Sequence, residues 1–153
     1  MRTCGECKAC CTVMAVVEID KAADTTCKHV CNEPNAAGGC GIYETRPEPC
    51  KDFVCMWLHD DGKIFRHMER PDKVGIMFDV THTNGEGQCL VARATRPGAF
   101  NEVAGKKLIE RLSKHVAVIL MENATAMRQL IGPEAIVKKV KQLADYNRRN
   151  AKP

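Results

Sequence analysis

Aromatic residues are scarce. Four Phe, two Tyr and one Trp make up 5% of the 153 residues. That leaves little for a base-stacking surface of the kind that holds single-stranded nucleic acid. Long apolar runs are missing, and none approaches the ~20 residues of a membrane-spanning helix. The opening Met1-Arg2-Thr3-Cys4 has no apolar stretch of export-signal type. A cytoplasmic location and no membrane partner are therefore expected. No unit of about 20–50 residues recurs, which argues against repeat architectures. There is no Ser-His-Asp set, phosphate-binding glycine loop or HExxH motif, so no catalytic residue is assigned.

Cysteine is what the chain has in excess. It has 10, nine of them between Cys4 and Cys55, with Cys89 standing apart. In a reducing compartment thiols stay unpaired, and a cysteine-dense segment reads as a metal ligand set before it reads as a disulfide scaffold. The adjacent pair Cys10-Cys11 adds to this, because a bridge between neighbours is strained. Charge is split as well. Residues 1–58 carry a balance of −2 and residues 59–153 one of +6. Metal-bound cysteines are thiolates. Nine of them would take the first segment to −11 before any cation arrived, so positive charge or N–H donors must gather there.

The first cluster is Cys4-Gly5-Glu6-Cys7-Lys8-Ala9-Cys10-Cys11. In a helix, Cys4, Cys7 and Cys11 would share one face, with Cys10 turned roughly 100° from Cys11. Alternatively, each Cys-x-x-Cys pair could chelate from a turn, as in zinc knuckles. The run also matches the start of a bacterial ferredoxin motif, although Cys11 arrives where three other residues would be expected. The second cluster is Cys27-Lys28-His29-Val30-Cys31. Its two cysteines, four apart, could share a helix face, with His29 pointing away as an exposed residue or, less simply, as a ligand. The third, Cys40, Cys50 and Cys55, is too irregularly spaced to form one chelate loop and would close sites begun by the others. Arg46 and Lys51 are candidates to offset thiolate charge. Tyr43, Phe53 and Trp57 are expected in a small core beside the site. Cys89, on a predicted strand, reads as a buried small hydrophobe. His59, His67, His82 and His115 share no ligand spacing and are expected at the surface.

Residues 1–58 hold too little apolar surface to fold unaided, so a metal staple is expected. Residues 59–72 read as a polar connection. In residues 73–150, apolar runs at 74–81 and 89–95 flank Asn84-Gly85, a hairpin signal. Asn101 can cap a helix whose stripe is Ala104, Leu108, Ile109, Leu112 and Val116. Residues 116–121 and 126–131 read as two further strands. Gly132-Pro133-Glu134 opens a last helix with the stripe Ile136, Val140 and Leu143. The fold class expected is α+β: a small cysteine-rich, metal-bound N-terminal module, then a ββαββα segment with a mostly antiparallel sheet.

The ordered set CxxCxxCC, a CxxxC pair, then C-x-I-Y-x-x-R-P-x-x-C-x-x-F-x-C over residues 4–58 resembles the YkgJ-type cysteine-cluster family. That family is described as chelating zinc or iron. The resemblance runs through Ile42, Tyr43, Arg46, Pro47 and Phe53 as well as the cysteines. RPDKVGIMFD and LVARATRPGAF further on look like the tail of some bacterial members. The family pattern has eight cysteines. Cys4, Cys7, Cys10, Cys11, Cys40, Cys50 and Cys55 take their places plainly, and Cys27 and Cys31 compete for the last or both bind. The resemblance implies metal binding and no established reaction.

The leading expectation is a metal-binding protein with a structural or storage site. Its ligands are drawn from Cys4, Cys7, Cys10, Cys11, Cys27, Cys31, Cys40, Cys50 and Cys55, and it takes two or more zinc ions, or iron. The alternative is an iron–sulfur redox or radical-type enzyme component. A nucleic-acid adaptor using Lys138, Lys139, Lys141, Arg148, Arg149 and Lys152 comes third. Those charges read more simply as the solvated face of a helix. Nine thiolates exceed the eight of two separate tetrahedral ions, so the count implies bridging thiolates, a spare ligand or a multi-ion cluster.

Overall fold

The computed structural model describes residues 2–31, 39–82 and 88–150. It is an α+β fold built on a four-stranded mixed sheet in the order β1-β2-β3-β4. The strands are β1 (Ile76–His82), β2 (Gln88–Ala94), β3 (Ala117–Met121) and β4 (Gln129–Ile131). Short helices precede the sheet: α1 (Ala9–Val13), α2 (Glu48–Asp52), α3 (Met56–His59) and α4 (Pro71–Val74). α5 (Val103–Ser113) joins β2 to β3, and α6 (Glu134–Asn150) follows β4.

β1 and β2 pair antiparallel, with Phe78 opposite Ala92. The Asn84-Gly85 turn expected between them lies outside the described residues. β2 and β3 run parallel, and β3 and β4 antiparallel. The sheet is thus mixed, with one parallel pairing amid two antiparallel ones. The cause is α5: a helix between two neighbouring strands brings the chain back to its starting edge and makes them parallel.

Ile76, Met77 and Phe78 are all fully buried, because both faces of the sheet are covered. One face carries Ile76, Phe78, Leu90, Ala92, Ala94 and Val118 against Leu108, Ile109 and Leu112 of α5, with Trp57 and Phe65. The other packs Met77 against Ala9 and Val13 of α1, and Cys89 and Ala117 against Val140 of α6. α1 therefore sets the first cysteine cluster directly on the sheet.

In α5 the buried face is Gly105, Leu108, Ile109 and Leu112. Ala104, expected in that stripe, is exposed. Gly105 takes the place because the Ala99 carbonyl approaches so closely that a Cβ would overlap it. The N-cap is Glu102 rather than Asn101, and its carboxylate accepts two hydrogen bonds from Arg96, at 2.8 and 2.6 Å.

Residues 59–72, expected as a polar connection, stay largely exposed but reach the core through Asp60, Phe65 and Pro71. Phe65 is 1% exposed and tilts against Phe78 with ring centroids 5.1 Å apart. The buried Asp60 carboxylate accepts the backbone N–H groups of Ile64 and Phe65 at 2.7 and 2.8 Å. Arg2 reaches into the same region. It donates to the Trp57 carbonyl at 2.8 Å and to that of Phe65, and its guanidinium lies over the Trp57 ring at 4.6 Å. Among the described residues no helix is long and apolar enough to cross a membrane.

Candidate metal centre

The Cys4-x-x-Cys7 segment is a turn, not a helix. The Cys7 N–H donates to the Cys4 carbonyl at 3.0 Å, and Gly5 supplies the left-handed backbone with φ +53°. Of the two local forms expected for the first pair, the turn is the one observed. α1 begins only at Ala9, so Cys10 and Cys11 sit in its first turn, with their thiols in hydrogen-bond contact.

Cys27 to Cys31 is also a turn rather than a helix. The Val30 N–H donates to the Cys27 carbonyl at 3.1 Å. Beyond it Val30 and Cys40 form an antiparallel bridge, tightened by Cys31 N–H to the Gly39 carbonyl (2.9 Å) and Gly41 N–H to the His29 carbonyl (2.8 Å). The Cys27 N–H donates to the Cys11 carbonyl at 2.9 Å, which pins this turn to α1. Gly39 is required there: its φ is +67° and the Lys8 side chain crosses where a Cβ would stand.

These elements enclose a cavity of about 530 Å³. Cys4, Cys7, Cys10, Cys11, Cys27, Cys40 and Cys50 all line it. Cys31 and Cys55 are not among its lining residues, although Cys55 packs with Cys7 and Cys10 beside Ala9, Val13 and Met77. His29, expected to point away from its flanking cysteines, lines the cavity beside Cys27. None of the ten cysteines forms a disulfide. The thiols are gathered but not convergent: among the described residues no three His, Cys, Asp or Glu side chains reach metal-ligating geometry. Cys89 is fully buried between β2, β3 and α6, away from the cavity.

The electrostatics are those of crowded sulfur. Burial raises the pKa of Cys4, Cys7, Cys50 and Cys55. The Cys10 thiol donates a hydrogen bond to the Cys11 sulfur. That bond pushes Cys10 far up and lowers Cys11 to about 7, with Lys21, Lys8 and Arg46 also lowering it against the cost of burial. Backbone N–H groups of Ala9 and Asp72 point at the Cys7 sulfur, and those of Leu58 and Trp57 at Cys55. Asp72 is itself held by Arg70 through two hydrogen bonds of 2.6 and 2.8 Å.

Two residues of the site carry no motif. Lys21 is 8% exposed and donates to the carbonyls of Thr12 (3.2 Å), Ala22 (3.1 Å) and Met14. Burial lowers its pKa, while Cys27 and Cys11 act to raise it. A buried cation thus stands on the cavity wall beside the thiols. Arg2 is the other, lining the cavity while its guanidinium holds the core. A lone Lys between loops and an Arg at position 2 have no spacing by which a sequence pattern could reveal them. Arg46 lines the cavity, stacks on Tyr43 at 3.7 Å and donates to the Tyr43 carbonyl at 2.8 Å. Lys51 instead pairs with Glu48 at 3.2 Å and is not among the lining residues. Tyr43, expected in a small core, is exposed under Arg46, whereas Phe53 and Trp57 do pack inward.

The donor set suits a thiophilic cation. Its donors are sulfur with one imidazole at the wall, N–H groups already face two of the sulfurs, and fixed cations stand nearby. Compared with known proteins, the chain matches no family model, no curated protein and no solved structure.

Proposed function

We propose that the chain is a metal-binding protein whose N-terminal cysteines hold zinc or iron, in a structural or metal-storing role, as a YkgJ-type cysteine-cluster protein. The observation that carries this reading is the gathering of seven thiols on one cavity from four separate stretches of chain. Thiols scattered for packing alone have no reason to face one another, and each buried thiolate without a cation would be costly. Zinc held by four thiolates has no open position for water, which fits a structural or storage site rather than a hydrolytic one.

The cavity volume favours one second reading. At about 530 Å³ it exceeds what bare ions occupy, and a sulfide-bridged iron cluster on cysteine thiolates would use more of it. Visible absorption and Mössbauer spectra of protein isolated without oxygen separate the two. A colourless protein carrying zinc supports the first, and a brown one with coupled iron centres the second. Retention of neither metal would defeat both.

A further inference from the structure

We propose that residues 3–6 are a hinged wall of the cysteine cavity, latched by the Arg2 guanidinium and turning about Cys7, so that release of Arg2 opens the way to the thiols inside. The cavity is the site of the metal-binding reading, and the latch would set how fast a cation enters and leaves it. The latch itself rests on hydrogen bonds and packing, and it stands whichever metal is bound.

The latch is one side chain whose partners all lie between residues 57 and 65. Arg2 Nη1 donates to the Trp57 carbonyl at 2.8 Å, and Nη2 donates to the Phe65 carbonyl. The Asp60 carboxylate stands 4.0 Å from Nη1, and the guanidinium lies 4.6 Å over the Trp57 ring. The Arg2 backbone N–H adds a bond to Asp61 Oδ1 at 3.2 Å. Trp57 and Phe65 belong to the core under the sheet, so the outer end of the wall is tied to the best-packed part of the molecule. A planar fork serves two carbonyls and a ring face at once, which a lysine does not.

The wall is held by little else. Residues 3–6 are exposed, and Thr3, Cys4 and Gly5 line the cavity. Among the described residues their one backbone–backbone hydrogen bond runs from the Cys7 N–H to the Cys4 carbonyl, inside the turn itself. Arg70 passes beside Gly5, but its guanidinium is engaged by Asp72. The inner end is fixed, because Cys7 packs with Ala9, Val13 and Met77. Exposed segments with few hydrogen bonds open locally at low cost, so the Arg2 contacts decide how often this one opens. Four extended residues reach about 14 Å, whereas a sphere of 530 Å³ is about 10 Å across. Cys10 and Cys11, half-buried on α1, line the same cavity and are the thiols that opening would uncover.

The test uses the full chain, reduced, metal-free and kept anaerobic, with fluorescein maleimide as a bulky thiol probe. Peptide mapping over time reads the labelling rate of each cysteine. In Arg2→Met, Cys10 and Cys11 are expected to label at least about tenfold faster, as suits the loss of hydrogen bonds from a charged donor. Asp61→Ala frees only the backbone anchor and should speed them about threefold. Cys31, which is not among the lining residues, should keep its rate, and Cys89, buried in the sheet, should stay unlabelled. Unchanged rates at Cys10 and Cys11 in both variants would overturn the latch. Equal acceleration of Cys31, or labelling of Cys89 in both variants, would do the same, since Arg2 would then support the fold and not the wall. Where Arg2→Met does not fold, Asp61→Ala decides alone. The probe reads thiols with no metal present, so failure of the latch leaves the metal-binding reading standing. Failure to take up Zn²⁺ would defeat that reading and leave the latch.

Discussion

In the sheet, Ile76, Met77, Phe78, Cys89, Ala92, Ala117 and Val118 are at most 1% exposed, whereas residues 2–31 bury only Ala9, Val13, Val16 and one lysine below a tenth. The sheet region closes its account with apolar surface. Each side chain of the size of Phe78 or Ile76 contributes about 1.5–3 kcal/mol on leaving water. The cysteine region has turns, single bridges and half-buried sulfur. Among the described residues its helical turns have five residues or fewer, too short to persist by themselves. The contrast teaches that burial accounts for one region and falls short in the other, where the proposed ligation would make up the difference. They meet where Met77 packs on α1 and where the Asp24 carboxylate accepts the Ala124 N–H at 2.5 Å.

The largest way to break this comparison is to strip the metal. Structural zinc is worth about 10–16 kcal/mol in small modules. Chelation of the loaded protein should abolish amide-exchange protection in residues 2–31 and 39–55 while β1, β2 and β3 keep theirs. Collapse of both regions together would show that the sheet also depends on the metal. Next in size is Phe65→Ala, which should cost about 3–5 kcal/mol in denaturant unfolding. Its folded fraction should keep the full metal content. Metal loss in step with stability would erase the distinction from the other side.

Asp60 sharpens the comparison through pH. Burial would raise its pKa, but the N–H groups of Phe65 and Ile64, with Arg2, hold it below the usual 3.8. A depressed carboxylate contributes its stability in full above the unfolded value and loses it as pH falls through the folded one. The apo protein should therefore destabilise as pH drops below about 3.8. Asp60→Asn should cost about 1.5–3 kcal/mol at neutral pH and flatten that acid limb. An unchanged limb would remove Asp60 as its cause. The smallest effect is expected of Lys21→Met. It leaves three carbonyls without their donor, at about 1–3 kcal/mol, and exchange should loosen at residues 12–22 and not in the sheet.

Much of the sheet region is legible in the sequence because its signals are periodic. The strands at 76–82, 88–94 and 117–121 and the helix at 134–150 fall within a few residues of where β-branched runs and the Gly-Pro-Glu start place them. The parallel pairing of β2 with β3 is less legible, since it follows from α5 as a crossover and not from either strand alone. The pattern points to Ala104 because a glycine scores as no hydrophobe, although close backbone approach makes Gly105 the buried position. The connection at 59–72 reads as polar because its buried Phe65 and Pro71 are surrounded by charge.

The site was legible as a set of residue types and not as an arrangement. Spacing alone allowed Cys4, Cys7 and Cys11 on one helical face. Gly5 with positive φ turns the chain instead, and helix starts only at Ala9. The same arithmetic set Cys27 and Cys31 on a shared face, where tertiary pairing of Val30 with Cys40 separates them. Lys21 and Arg2 were out of reach because their roles come from carbonyls and rings far along the chain. Thiol chemistry reads directly from cysteine, but which thiol faces which depends on turns that short patterns do not encode.

The most direct measurement is elemental analysis of the full chain isolated without oxygen, followed by zinc competition against a chromophoric chelator. The account predicts transition metal bound in stoichiometric amount, and an apo protein that takes Zn²⁺ away from the chelator. A preparation free of zinc and iron, whose apo form leaves the chelator saturated, would contradict it.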